Sequence, residues 1–343
     1  MVAIGIDTHK SSLAASAVDE RGIEIGRTVV ANTPSGHREL HAWTMGFEAD
    51  RTIGIEGAGG LGLVVARRLV AAGERVVEVP PTLTARERRR RPRPTKSDRG
   101  DALAIARVTQ REPALPVPAR DGAFEDLALV VRARDELVAA RTQTANRLHA
   151  DLVALRPGYE REIPNLVAAC HLARARRLLG GAAGVRAELA RDRLVELRDL
   201  DRRIGRLSER LPGLVAATGS TLSTMPGIGV VLAAKLLAEA GDVRRYRSEA
   251  AFAAAAGTAP LEASSGQIRR HRLNRGGDRQ LNRALHQLAL VQVRHHPPAR
   301  AYLERRRAAG KTWREAIRCL KRYLARAVFR VMLADALRAG LDR

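Results

Sequence analysis

The chain has 343 residues, 45% of them hydrophobic, with 60 Lys and Arg against 37 Asp and Glu and a formal net charge of +23. The hydrophobic share excludes a disordered chain, and the length allows two or three domains. An excess of positive charge this large opposes compaction and draws polyanions, so nucleic acid is the first partner to consider.

Residues 1–110 read as α/β. Residues 2–7 form an apolar strand, and 13–18 and 23–31 flank a turn at 19–22, which predicts a hairpin. A helix over 34–45, a strand over 52–56, a helix over 61–72 and a strand over 75–79 follow, ending at Pro80-Pro81. Residues 86–96 are dense in Arg and broken by Pro92 and Pro94, a run expected to be solvated and mobile. A helix is expected from Ser97, its N-cap, to about residue 109.

Helical spacing then runs through 124–155, and Leu194, Leu197, Leu200, Ile204, Leu207 and Leu211 make a seam suited to a coiled coil or a helical hairpin. Packing within the chain and a dimer interface fit that seam equally. Arg132, Arg134, Arg141 and Arg147 on the outer faces are candidates for phosphate contact. Residues 220–343 form a third, mostly helical region.

Aromatic residues at 3% argue against base-stacking RNA-binding folds and favour backbone contacts through Arg and Lys. Cys170 and Cys319 lack metal-ligand spacing, so neither a zinc site nor a disulfide framework is expected, and a reducing cytoplasm fits. No apolar run reaches membrane-spanning length, and no signal peptide is expected.

Two segments share one pattern: Ile4-Gly5-Ile6-Asp7 and Ile53-Gly54-Ile55-Glu56, each a short strand ending on a carboxylate. An acid at the rim of an apolar core is costly unless it meets a cation. Asp98 and Asp101 stand one turn apart on one helical face, a repulsive pair unless a metal or a base neutralises it. Together the four acids supply hard oxygen ligands of the kind Mg²⁺ or Mn²⁺ prefers, for two-ion phosphodiester chemistry. Gly57-Ala58-Gly59-Gly60-Leu61-Gly62, with Glu78 after the next strand, also fits a dinucleotide fingerprint. Glu56 would crowd a pyrophosphate there, so a close-packed strand–helix turn is the preferred account of these glycines.

Ser264-Ser265-Gly266 precedes Arg269, Arg270, Arg272 and Arg275. A serine hydroxyl needs activation to act as a nucleophile, and arginines can hold a phosphate beside it. Gly276-Gly277-Asp278-Arg279 opens a helix with Asp278 as N-cap and amides that could meet a phosphate. Pro226-Gly227-Ile228-Gly229 resembles the hairpin of helix–hairpin–helix proteins. His9, His286, His295 and His296 show no ligand spacing.

Gly5-Ile6-Asp7-Thr8-His9-Lys10, Glu56, Lys96-Ser97-Asp98-Arg99-Gly100-Asp101-Ala102, Pro226-Gly227-Ile228-Gly229, Ser264-Ser265-Gly266 and Arg275-Gly276-Gly277-Asp278 fall in an order that resembles one family. It is the DEDD transposases of the insertion-sequence one-ten family, relatives of the Piv-type DNA invertases. The resemblance implies an α/β plus α architecture. A RuvC-like, RNase H-type catalytic domain would span 1–112, a helical coiled-coil region 120–215, and a C-terminal transposase domain with a catalytic serine 216–343. Asp7, Glu56, Asp98 and Asp101 would hold the metal ions. Ser265, the serine directly before Gly266, would be the nucleophile, with Ser264 leaving that assignment open by one residue. The implied partners are donor and target DNA, a structured guide (bridge) RNA and a second copy of the chain, in dimers that pair into tetramers in the bacterial cytoplasm. Arg134, Arg141, Arg147, Arg269, Arg270, Arg272, Arg275 and Arg279 are the candidate nucleic-acid contacts. The competing readings are a water-using metal-dependent nuclease or junction resolvase, and a non-enzymatic basic nucleic-acid-binding protein.

Overall fold

A computed structural model describes residues 1–89, 98–112, 115, 122–262, 271–272, 274 and 277–341; for 98, 99, 261, 262, 271, 272 and 341 it describes the backbone alone. Contacts divide the chain into two units, Met1–Arg120 and Asp121–Arg343. Among the described residues no helix is long and apolar enough to cross a membrane.

The first unit is built on a five-stranded sheet of β1 (Val2–Thr8), β2 (Ser12–Val18), β3 (Glu24–Ala31), β4 (Arg51–Glu56) and β5 (Val76–Val79). The strand order is β3-β2-β1-β4-β5. β1–β3 form an antiparallel meander, while β4 runs parallel to β1 and β5 parallel to β4. The predicted hairpin is present, closed by Asp19, whose Oδ1 accepts from the Arg21 and Ile23 amides. Helices α1 (Pro34–Met45), α2 (Leu63–Ala71), α3 (Pro81–Arg88) and α4 (Asp98–Arg111) complete the unit. This mixed sheet flanked by helices agrees with the RNase H-like expectation.

Strand alternation explains the repeated Ile-Gly-Ile-acid pattern. Ile4, Ile6, Ile53 and Ile55 are fully buried on one face, in a core with Leu40 of α1 and Val65 and Leu69 of α2. Gly5 and Gly54 therefore point to the opposite face, and they are direct partners in the β1–β4 register. α4 crosses the sheet there. A Cβ on Gly5 would lie 2.1 Å from the Ala106 amide nitrogen and 2.4 Å from the Ala102 carbonyl oxygen. One on Gly54 would lie 1.8 Å from Thr109 Oγ1. The glycines let the helix backbone rest on the strands.

One expectation is corrected. Residues 86–88 are not irregular but end α3, with Arg86 exposed as expected; Pro81 opens the helix in the first-turn position where a missing amide costs nothing. Glu87 is buried and forms an ion pair with Arg111 of α4. α2 also begins two residues later than expected, because 57–62 form the turn that precedes it.

In the second unit, α5 (Gly122–Leu155) and α7 (Val185–Ala217) are long helices that pack along one another. Arg134 Nε donates to Ser208 Oγ at 2.9 Å, Arg141 Nε to Asp201 Oδ1 at 2.5 Å, and Arg193 pairs with Asp151. Residue numbers fall on one helix as they rise on the other, so the pair is antiparallel. The Leu194–Leu211 seam is thus spent within the chain: Leu194 and Leu197 pack with Leu148 and Leu152 of α5 and with α6 (Ala169–Gly180). At the other end Leu211 and Val215 join a core with α8 (Val230–Ala240), α9 (Glu249–Ala255), α10 (Arg279–His295), α11 (Pro297–Ala308) and α12 (Trp313–Leu341), where Phe252 is fully buried. A short antiparallel pair, β6 (Leu261–Glu262) and β7 (His271–Arg272), lies between α9 and α10 in the chain.

Candidate active site

Asp7 and Glu56 follow Gly5 and Gly54 by two residues, so alternation directs both to the face that α4 covers. They stand at the ends of neighbouring parallel strands, where functional groups collect in such sheets. Thr8 Oγ1 donates to the Glu56 carbonyl at 3.0 Å and ties the two strand ends together. Asp101 is buried in the first turn of α4, immediately before the Ala102–Ala106 stretch that lies on Gly5. The close glycine contacts therefore set where this carboxylate sits.

Arg88 of α3 brings a cation to the group, its Nη1 2.9 Å from Asp101 Oδ1. Its pKa is raised first by the hydrogen bond to Asp101, with the Glu56 and Asp7 charges acting the same way. Glu56 has its pKa raised, chiefly by burial and then by the Asp7 carboxylate, with Arg88 opposing and Asp101 adding to the shift. Three carboxylates thus share one electrostatic neighbourhood. His9 Nε2 lies 3.2 Å from Asp7 Oδ2.

The donor set tests well against a divalent cation. The acids present hard oxygens, and Arg88 leaves their combined charge only partly balanced. Among the described residues no three His, Cys, Asp or Glu side chains already lie close enough together to hold an ion. Asp98 is the first residue of α4, but its side chain is outside the described residues.

A prediction follows from Glu56. A carboxyl whose folded pKa lies above its unfolded one binds more protons when folded, so stability falls as pH rises from the ordinary Glu range through the folded pKa. Above that window the cost is complete. Glu56→Gln is therefore expected to raise the melting temperature by a few degrees at neutral pH in metal-free buffer. A thermal melt with and without a divalent cation checks it, and the wild type should gain more from the ion than the variant.

The Gly-rich turn at 57–62 has the close packing expected of a strand–helix turn. Gly57 has φ +74°, and a Cβ on Gly62 would meet Ile55 Cγ2 at 2.9 Å and Thr8 Cγ2 at 3.0 Å. The turn thereby tightens against the end of β1.

Of the other predicted residues, Ser264, Ser265, Arg269, Arg270, Arg275 and Gly276 lie outside the described residues, as does the side chain of Arg272. Asp278 caps α10, its Oδ1 accepting from the Gln280 and Leu281 amides at 2.8 Å each. Gly277 presses on Gly257, and the Asp278 amide donates to the Ala255 carbonyl at 2.7 Å, so that amide holds the fold. Arg279 and Arg147 are exposed. Arg134 and Arg141 bind across the α5–α7 pair, Arg141 also donating to the Leu166 carbonyl at 2.8 Å. In the Pro226–Gly229 turn, Gly227 has φ +81° and the buried Gln292 donates to the Pro226 carbonyl at 2.7 Å. Sequence reasoning missed Arg88; the available signal was Pro80-Pro81, which starts a helix as readily as it ends a strand.

Carboxylates gathered at the end of a parallel strand pair, in a chain this cationic, define a protein equipped for phosphate chemistry on nucleic acid. The sequence model of the DEDD transposases of the IS110 type matches residues 4–157, and that of the transposase IS116/IS110/IS902 family matches residues 219–304. Together they span more than half of the chain, which belongs to the IS116/IS110/IS902 family of transposases. It is 27% identical to an insertion element IS900 42 kDa protein of Mycobacterium paratuberculosis, over 93% of this chain and 92% of that one. It is 29% identical to an insertion element IS110 43.6 kDa protein of Streptomyces coelicolor, over 81% of this chain and 79% of that one. A probable family 20 transposase of Pseudomonas aeruginosa is 30% identical over 58% of this chain and 60% of its own.

Proposed function

We propose that this transposase cuts and rejoins DNA strands with divalent ions, Mg²⁺ or Mn²⁺, held by Asp7, Glu56, Asp98 and Asp101, and with Ser265 as nucleophile. The observation that carries the reading is the convergence of Asp7, Glu56 and Asp101 on the α4 face of the sheet. The bound ions supply polarisation of the scissile phosphate and charge stabilisation at the leaving oxygen. α4 and the ends of β1 and β4 orient the acids. The Ser265 hydroxyl attacks phosphorus; its Oγ–P bond forms as the ester bond to the adjoining sugar breaks. The proton lost by the serine is balanced by the one gained by the departing hydroxyl. A hydroxyl of the new strand reverses the step and frees the serine.

The family resemblance supports a bridge RNA that pairs with donor and target DNA, and assembly of dimers into tetramers in the bacterial cytoplasm. On this reading residues 1–112 cut, 120–215 assemble through surfaces other than the leucine seam buried in the α5–α7 hairpin, and 216–343 carry the serine. Arg147, Arg272 and Arg279, with Arg269, Arg270 and Arg275, contact phosphates.

The test is a search for a denaturation-resistant protein–DNA adduct when the chain is expressed with its native flanking DNA. Wild type should form it, and Ser265→Ala and Asp98→Asn should each abolish it. Free nicks without an adduct, still made by Ser265→Ala, would replace the serine mechanism with a water-using nuclease.

A further inference from the structure

The C-terminal helices enclose a cleft that the carboxylate chemistry does not use. It lies between α10 and α12 and has a volume of about 1030 Å³, at the top of the range for small-molecule pockets. Arg279 and Arg283 line it from α10, and Arg314, Arg318 and Lys321 from α12. Their spacings of three and four residues put each set on one helical face. No carboxylate lines the cleft among the described residues. Five like charges focused between two packed helices raise a strong local potential for an anion.

Lys321 is the one buried cation of the five. It is 6% exposed, and its Nζ donates to Asn282 Oδ1 at 2.6 Å. Burial pushes its amine down to about 8. The ammonium has given up hydration and received one amide oxygen in return, and a phosphate oxygen is the partner that would complete it. At the start of α12, Trp313 lines the same cleft and is 45% exposed, in a chain with only two tryptophans. An exposed indole beside arginines is a platform on which an unstacked base can lie.

We propose that this cleft binds a single-stranded polynucleotide, with Lys321 taking a backbone phosphate in the interior and Trp313 stacking on a base. A duplex keeps its bases stacked on one another and offers none to the indole. The assignment rests on the nucleic-acid reading above but needs neither the acids of the first unit nor Ser265.

Binding is measured with the full chain in EDTA, in a Trp43→Phe background that leaves Trp313 as the sole indole. The probes are a short single-stranded DNA, a single-stranded RNA of the same sequence and the corresponding duplex. Single strands should quench the Trp313 emission. With affinity read by the anisotropy of a dye-labelled strand, which needs no indole, Trp313→Ala and Lys321→Met should each weaken single-strand binding about tenfold. Lys321→Met should also flatten the slope of log K against log salt by about 0.7. Duplex affinity should not respond to Trp313→Ala. Arg318→Gln, at a more exposed position, should weaken single-strand binding in the same direction and serves if Lys321→Met does not fold. Tighter binding of RNA than DNA would assign the occupant as a guide strand, and the reverse as a displaced DNA strand. Absence of quenching, unchanged single-strand affinity in the variants, or an equal loss for the duplex would overturn the proposal. The assay needs no metal and no serine, so its failure leaves the adduct result standing, and binding without an adduct refutes the serine chemistry alone.

Discussion

Asp7→Asn is expected to lower DNA strand breakage by about 10³-fold or more while changing the melting temperature by no more than a few degrees. The amide has the shape of the carboxylate, and the half-buried position at the end of β1 tolerates it. On the proposed mechanism, what it loses is one anionic oxygen ligand. Metal ions contribute several kcal/mol of charge stabilisation in such reactions, and about 4 kcal/mol corresponds to a factor of roughly 10³ in rate. The repulsion that raises the Glu56 pKa loses its leading charged contributor at the same time, so the variant should not be less stable in metal-free buffer. A cleavage assay on native flanking DNA, run beside a thermal melt, separates the two effects. Unchanged breakage would mean that Asp7 only balances charge and holds no ion that the reaction needs.

Gly5→Ala is expected to destabilise the first unit by about 3 kcal/mol or more. The new Cβ meets the Ala106 nitrogen at 2.1 Å and the Ala102 carbonyl at 2.4 Å, both backbone atoms that no rotamer change can move. α4 must lift off β1. Gly54→Ala differs, because its nearest neighbour is the Thr109 hydroxyl, the far end of a side chain. Thr109→Ala should therefore recover part of the loss in Gly54→Ala and none of it in Gly5→Ala. Trp43 lies in the first unit and Trp313 in the second, so emission in a Trp313→Phe background follows the first unit's unfolding. Equal stability of Gly5→Ala and wild type would refute the close-contact account.

Much of this arrangement was legible in the residues. Period-two patterning and turn chemistry gave the hairpin and the strands, and the twin Ile-Gly-Ile-acid segments marked the two strand ends that bear carboxylates. The glycines within those segments carried a second message, since a missing side chain at matching positions of two strands signals an element pressed on both. α3 was hidden for a physical reason. Its sequence, PTLTARER, has little apolar periodicity, and what fixes it are pairings of Glu87 with Arg111 and of Arg88 with Asp101, distant in the chain. The same limit applies to Arg141, whose partner Asp201 stands 60 residues away. Spacing shows that a guanidinium can reach outward, not that a carboxylate across a hairpin has claimed it.

The seating of α4 on two glycines also bears on which length changes this lineage can tolerate. One residue inserted between Asp101 and Ala106 would turn the carboxylate by about 100° and advance it about 1.5 Å while the contact on Gly5 stayed fixed. The five-residue interval from Asp101 to Ala106 is thus incompressible, as is the two-residue step from each glycine to its acid. Insertions and deletions among relatives should collect elsewhere, in turns such as the one Asp19 closes, where neither interval is disturbed.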